Sequence, residues 1–308
     1  MKLASYLANG RAAFGVVTAD GIVNMNRRLG GRATSLKEAL TLGLIPQMAE
    51  AAAAAKPDHT LAEITFLPAI PDPDLIACAG INYRSHASET GRDIPKQPSM
   101  FIRRANTLVG HDGEMIRPRV STNFDFEGEL AIVIGQGGRH IGVEWALDHV
   151  AGYTCFVDGS VRDYQKFSVT SGKNFPGTGP LGPWIVTRDE IPDPTRLVLT
   201  TRLNGSEMQR SGTDLLIYSI PQIIAFCSDF TPLVPGDVIA TGTPDGVGHR
   251  RTPPVWMKPG DVIATGTPEG VGHRRTPPVW MKQGDVLEVE ITGIGTLRSR
   301  IVDEKDET

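Results

Sequence analysis

Cysteine is scarce in this 308-residue chain: Cys78, Cys155 and Cys227 stand far apart, each among apolar neighbours. An odd number at wide spacing suits neither a disulfide framework nor a zinc site, so three buried, reduced thiols are expected. A basic excess is also missing. The formal net charge is −4 and the pI about 6.0, which leaves no electrostatic footprint for nucleic acid, and no polybasic run marks a membrane surface. No apolar run approaches the length of a membrane span. The first residues carry one lysine and no sustained apolar stretch before Asn9-Gly10. No signal peptide is therefore expected, and a reducing, cytoplasmic setting follows. The 40% hydrophobic content supplies a real core, in one large domain or a large one with a smaller companion.

The first seventy residues read as a small module. Leu3 to Leu7, Ala12 to Val17 and Ile22 to Asn24 are short strands, separated by the turn pairs Asn9-Gly10 and Asp20-Gly21. Ser35 caps a helix with Glu38 three residues on, and alanine-rich Ile45 to Lys56 is a second helix. The three prolines in Pro68 to Asp74 forbid regular structure and mark a domain boundary. Beyond it, Leu75 to Ala79 and Tyr153 to Val157 are buried strands, and Glu144 to His149 is a short helix. Asn204-Gly205 joins the strands of a hairpin. Ile220, Ile223, Ile224, Cys227 and Phe230 fall at helical spacing behind Ser219 and Pro221. Val286 to Thr292 and Thr296 to Val302 form a closing hairpin.

One stretch stands apart chemically. Phe124 to Ile134 reads as a single strand, on which Asp125, Glu127 and Glu129 share one face and Phe126, Leu130 and Ile132 the other. Neighbouring carboxylates at the mouth of an apolar strand repel and lose solvation. A divalent cation offsets both costs; a solvated edge strand with scattered acids accounts for the same spacing. Asp158, at the end of another apolar strand, is placed to be a third oxygen ligand. His86 and Glu89 share a face of a helical turn, where the carboxylate raises the basicity of the imidazole and suits activation of a water. An exposed turn with an incidental pair also fits. Arg162 can hold a carboxylate bidentately or pair structurally with Asp163, and Lys173 is uninformative in isolation.

The chain also repeats itself. Residues 235–258 recur as residues 259–282, and only Asp245 against Glu269 differs. A single repeat is no solenoid. A globular sheet has room for one copy, so the other is expected to leave the core as an extension.

Taken together, these motifs resemble the fumarylacetoacetate hydrolase family from about Leu75 to the end. The residues that carry the resemblance are Asn82-Tyr83 with His86 and Glu89, Phe126-Glu127-Gly128-Glu129-Leu130, Asp158 with Arg162-Asp163 and Gln165, Gly172-Lys173, Pro180-Leu181-Gly182-Pro183, Asn204-Gly205, and Gly236 to Pro244. The resemblance implies an α+β, β-rich fold: a mixed β-roll catalytic domain over residues 75–308, preceded by a small α+β domain over residues 1–70. It implies one Mg²⁺ or Mn²⁺ ion held by Glu127, Glu129 and Asp158, and usually a homodimer. His86 and Glu89 match a water-activating pair, Lys173 an oxyanion stabiliser, and Thr243 or its duplicate Thr267 a threonine at the substrate carboxylate. Tyr83, Arg162 and Gln165 match pocket residues. The activity expected from this site is hydrolysis of a C–C bond in a 2,4-diketo acid, of acylpyruvate or fumarylpyruvate type, with an enolate as leaving group. Isomerisation or decarboxylation of a muconate-type diacid is the alternative, and a non-catalytic binder disrupted by the duplication the lesser one. The partner implied is a small 2-oxo acid, with no nucleic acid and no membrane.

Overall fold

Strand Gly128–Ile134 is buried at every position because it is covered on both faces. The computed structural model, which describes residues 1–90, 93–248 and 279–305, shows what covers it. Leu130, Ile132 and Ile134 face a core shared with helix Ile220–Phe230 and with a second sheet, while Ala131 and Val133 face a core shared with the N-terminal helices. Two buried faces give a continuous apolar run rather than an alternating one.

The strand lies within an eleven-stranded mixed sheet. Its main path runs Gly21–Asn24, Arg11–Thr18, Lys2–Ala8, Gly179–Thr187, Val150–Val157, Gly128–Ile134, Val238–Ala240, Ile76–Gly80, Ser99–Arg103. Most neighbours are antiparallel; Val238–Ala240 runs parallel to Ile76–Gly80. The N-terminal strands continue this sheet, with Lys2 opposite Val186 and Leu3 opposite Ile185. The second sheet orders Ser206–Gly212, Val198–Leu203, Val286–Ile291, Gly295–Asp303 and Glu114–Arg117.

Local sequence explains most elements. The Ser35 hydroxyl accepts from Glu38 N–H at 3.1 Å to start helix Leu36–Thr41, and Ser219 caps Ile220–Phe230 with Pro221 in its first turn. Asn204 and Gly205 both adopt positive φ, 51° and 78°, as a tight hairpin requires. The second N-terminal helix spans Ile45–Ala53, the expected short helix is the 3₁₀ segment Val143–His149, and all three cysteines are buried and free.

The single strand expected from Phe124 to Ile134 is a correction. Phe124–Asp125 pairs only with Ser160–Val161 in a small separate sheet, and regular pairing resumes at Gly128. The break comes from side chains that take over backbone partners. Asp125 Oδ1 accepts from Phe126 N–H at 2.9 Å, and Gln209 Oε1 accepts from Gly128 N–H at 3.0 Å.

The two repeat copies meet in the core. Residues 235–248 of the first supply strand Val238–Ala240, and residues 279–282 of the second supply buried Val279 and Met281. Val279 N–H donates to Gly248 O at 3.1 Å, and Met281 N–H donates to Phe124 O at 2.9 Å. The described core thus takes its front from one copy and its back from the other; residues 249–278 lie outside the described residues.

Candidate active site

Strands Gly128–Ile134 and Val150–Val157 run antiparallel with Gly128 opposite Val157, so Glu127 and Asp158 leave the sheet at the same end. Asp158 N–H donates to Glu127 O at 2.8 Å and fixes that junction. Carboxylate oxygens of Glu127, Glu129 and Asp158 come within 4.8 Å of one another, all three residues buried. An all-oxygen donor set of this size fits a hard divalent cation such as Mg²⁺ or Mn²⁺.

The surroundings balance the charge. Lys173 ends the short helix Val169–Lys173, and its ammonium reaches Glu127 Oε2 at 2.7 Å and Asp158 Oδ2. Arg162 bridges Asp125 and Glu127, each at 2.6 Å. Arg103, fully buried, donates to Asp158 Oδ1, to Gly159 O at 3.0 Å and to Thr178 Oγ1 at 2.8 Å. Burial alone would raise the Glu127 pKa, but Lys173 and Arg162 more than offset it and hold the carboxyl well below the ordinary range. Glu129 goes the other way. Burial, then the charges of Asp158 and Glu127, push its pKa well above the usual value, against Lys173 and the Gly242 N–H at 2.8 Å. Among the described residues four carboxyl groups face three cations here, so that with all four ionised a divalent ion would turn the cluster positive and suit an anionic ligand.

His86 and Glu89 lie on helix Arg84–Thr90, with His86 Nδ1 3.2 Å from Glu89 Oε2. Glu89 Oε1 accepts from Gly246 N–H at 3.0 Å, which ties the helix to the loop after Val238–Ala240. That loop needs glycine: Gly246 has φ of 95°, and a Cβ there would lie 2.2 Å from Met208 O. His86, Glu127, Glu129, Arg162, Gln165, Lys173 and Thr243 open on one cavity of about 480 Å³. Tyr83 does not. It is buried beside the cavity wall, and its hydroxyl has no hydrogen-bond partner among the described residues. Thr267 lies outside the described residues. Thr243 is committed to the fold, since its hydroxyl donates to Gly128 O at 2.9 Å and accepts from Gln209 Nε2 at 2.8 Å.

Two supporting residues, Gln209 and Arg103, escaped the sequence reading of the site. Gln209 reaches in from the second sheet and touches both Gly128, between two of the carboxylates, and Thr243. Gly128 itself has no room for a Cβ, which would lie 2.1 Å from Thr201 Oγ1. Arg103 ends the otherwise uncharged strand Ser99–Arg103, the one local hint of a buried cation. Asp125, grouped with the ligands by spacing, instead anchors Arg162 and the Gly248 N–H at 2.7 Å.

The sequence profile described as fumarylacetoacetate (FAA) hydrolase C-terminal matches residues 75–262 and 255–302. The chain belongs to the fumarylacetoacetate hydrolase family. The two matched spans overlap inside the duplication, as a repeat in one family domain requires. A human mitochondrial oxaloacetate tautomerase is 41% identical over 212 residues, 68% of this chain and 68% of that protein. A solved maleylpyruvate hydrolase from Sphingobium sp. SYK-6, in complex with manganese(II) and pyruvate, superposes with a TM-score of 0.77 at 27% identity, covering 99% of this chain and 100% of that one. A 5-carboxymethyl-2-hydroxymuconate delta-isomerase from Mycobacterium smegmatis gives 0.73 at 27% identity with the same coverage. Relatives of this chain in sequence or structure thus include tautomerases, hydrolases and isomerases, and the strand-rich mixed fold is the family's.

Proposed function

We propose that the chain is a divalent-metal-dependent tautomerase of an oxaloacetate-type 2-oxo diacid. The observation that carries this reading is one cavity onto which His86, backed by Glu89, and the Glu127–Glu129 edge of the carboxylate cluster both open. When bound by Glu127, Glu129 and Asp158, the cation would polarise the 2-oxo group and ease loss of the adjacent carbon-bound proton. His86, backed by Glu89 at Nδ1, would take that carbon-bound proton while the 2-oxygen gains one to give the enol, and the reverse transfers, oxygen losing its proton and carbon gaining one, return the keto form. Lys173 supplies a buried ammonium for the oxygen charge that develops. The relative at 41% identity supports the tautomerase reading.

A second reading, hydrolysis of an acylpyruvate by the same pair acting on a water, is favoured by the cavity itself. Its volume of about 480 Å³, walled in part by Met100, Phe101 and Val169, leaves room for an acyl group beyond a four-carbon diacid. The likeness to the maleylpyruvate hydrolase supports it as well. The two separate in one assay. Enol-oxaloacetate and a 2,4-diketo acid are offered to the full-length protein with Mg²⁺, Mn²⁺ or EDTA, following ultraviolet absorbance and released pyruvate. Metal-dependent enol decay without pyruvate from the diketo acid supports the tautomerase. Pyruvate release from the diketo acid makes the protein a hydrolase, pyruvate from oxaloacetate makes it a decarboxylase and overturns the tautomerase reading, and silence with both substrates overturns both readings.

A further inference from the structure

Three cationic side chains besides His86 line the cavity, and two of them are spent. Arg162 is paired with Asp125 and Glu127 and also donates to Gln165 Oε1 at 2.9 Å; Lys173 is paired with Glu127 and Asp158. Lys166 has no ion-pair or hydrogen-bond partner for its ammonium among the described residues, although Asp163 lies three residues before it and lines the same cavity. One oxygen of Asp163 is instead held by Ser121 Oγ at 2.5 Å.

Two amides stand with this lysine. Because Gln165 Oε1 accepts from Arg162, the carboxamide is oriented and its Nε2 donor is left without a partner among the described residues. Asn123 spends its backbone, with N–H donating to Ser121 Oγ at 3.0 Å and O accepting from Arg162 N–H at 3.0 Å, and keeps its side-chain amide unspent. The turn Tyr164–Lys166, which carries Gln165 and Lys166, is held in place. Tyr164 meets Phe175 edge-on at 5.1 Å, and Gly172 makes way for Gln165, whose Cγ would lie 2.2 Å from an added Cβ. A polar wall with three unspent donors, one of them charged, therefore sits in the same cavity as the carboxylate cluster.

On the tautomerase reading of this site, we propose that Lys166, with Gln165 and Asn123, takes the distal carboxylate of the diacid while the 2-oxo acid head sits at the carboxylate cluster. A carboxylate matches the Lys166 ammonium in sign and the wall in its need for several donors at once. A 2-oxo monoacid has nothing to offer it. Lys166 is thus a specificity residue that separates diacids from monoacids without touching the reacting atoms.

The test compares pyruvate with 2-oxoglutarate, which share a 2-oxo acid head and differ by the CH2–COO⁻ arm that carries the distal carboxylate. Binding to the full-length, Mn²⁺-loaded protein is measured by calorimetry for wild type, Lys166→Met and Lys166→Arg. The expected result is tighter binding of 2-oxoglutarate by wild type and about a tenfold loss of that binding in Lys166→Met, with pyruvate within about twofold and Lys166→Arg retaining the preference. Equal losses for both acids, no loss for either, or no preference in wild type would overturn the subsite. The measurement needs no turnover, so failure of the tautomerase assay and failure of the subsite are separate results.

Discussion

Gln209 enters the site from the hairpin strand Ser206–Gly212, and its carboxamide is fully committed there. Oε1 accepts from Gly128, and Nε2 donates to Thr243 Oγ1 and, at 3.0 Å, to Pro244 O. In Gln209→Leu the Gly128 N–H is left unpaired in a dry interior, which typically costs about 1–3 kcal/mol. Urea denaturation is expected to show a loss of that size. Groups that orient ligands commonly contribute about 10- to 100-fold in metal affinity, and a Mn²⁺ titration should weaken by that factor. An unaltered titration would free Gln209 from any part in holding the carboxylates. Lys173 makes a contrasting case. Lys173→Ala is expected to keep Mn²⁺ binding while lowering turnover by about 10²–10³, the usual cost of losing one donor to a developing oxyanion. Unchanged turnover would take Lys173 out of the chemistry.

At the scale of elements, whatever rests on local chemistry was legible in the sequence. The caps at Ser35 and Ser219, the Asn204-Gly205 turn, the buried strands and the His86–Glu89 pair on a helical turn each follow from residues a few positions apart. Glu127, Glu129 and Asp158 were placed together by the family resemblance, and the fold brings them within reach of one another. What stayed hidden depends on long-range pairing. The break at Phe126-Glu127 requires Gln209, 81 residues away from Gly128, and no local pattern announces it. The commitment of the Thr243 hydroxyl to Gly128 O has the same origin. The duplication was plain as a repeat, but the seam joining Gly248 to Val279 could not be read from two nearly identical copies. Deleting residues 249–272 restores a single copy and keeps both sides of that seam. A shorter connection between residues that must meet closes at lower entropic cost, about 1.4 kcal/mol for a roughly fivefold reduction. The trimmed protein is expected to melt at or slightly above the parent temperature. A clear loss of folding in a thermal scan would mean that residues 249–272 do structural work.

Across the whole molecule, His111 links parts distant in sequence. Its ring meets Phe66 edge-on with centroids 5.4 Å apart, and its Nδ1 accepts from Arg298 N–H at 3.1 Å. Burial holds its pKa below the ordinary histidine value, with Asp112 opposing and Arg298 assisting. The folded protein therefore binds this proton less readily than the unfolded chain. Its contribution to stability is full above about pH 6.5 and is lost as pH falls from there through the lowered folded value. Urea midpoints are expected to fall between about pH 7.5 and 5.5, and to fall less in His111→Gln. Parallel pH profiles for the two proteins would contradict this role.

The seam between Gly248 and Val279 has a consequence in genetic terms. An in-frame repeat in coding sequence can gain or lose a unit when replication misaligns, and each product here begins its inserted stretch after the same glycine and ends it before the same valine. Length variants at this point are therefore expected among close kin of this chain. In each of them the described part of the site is built from the front of the first unit and the back of the last.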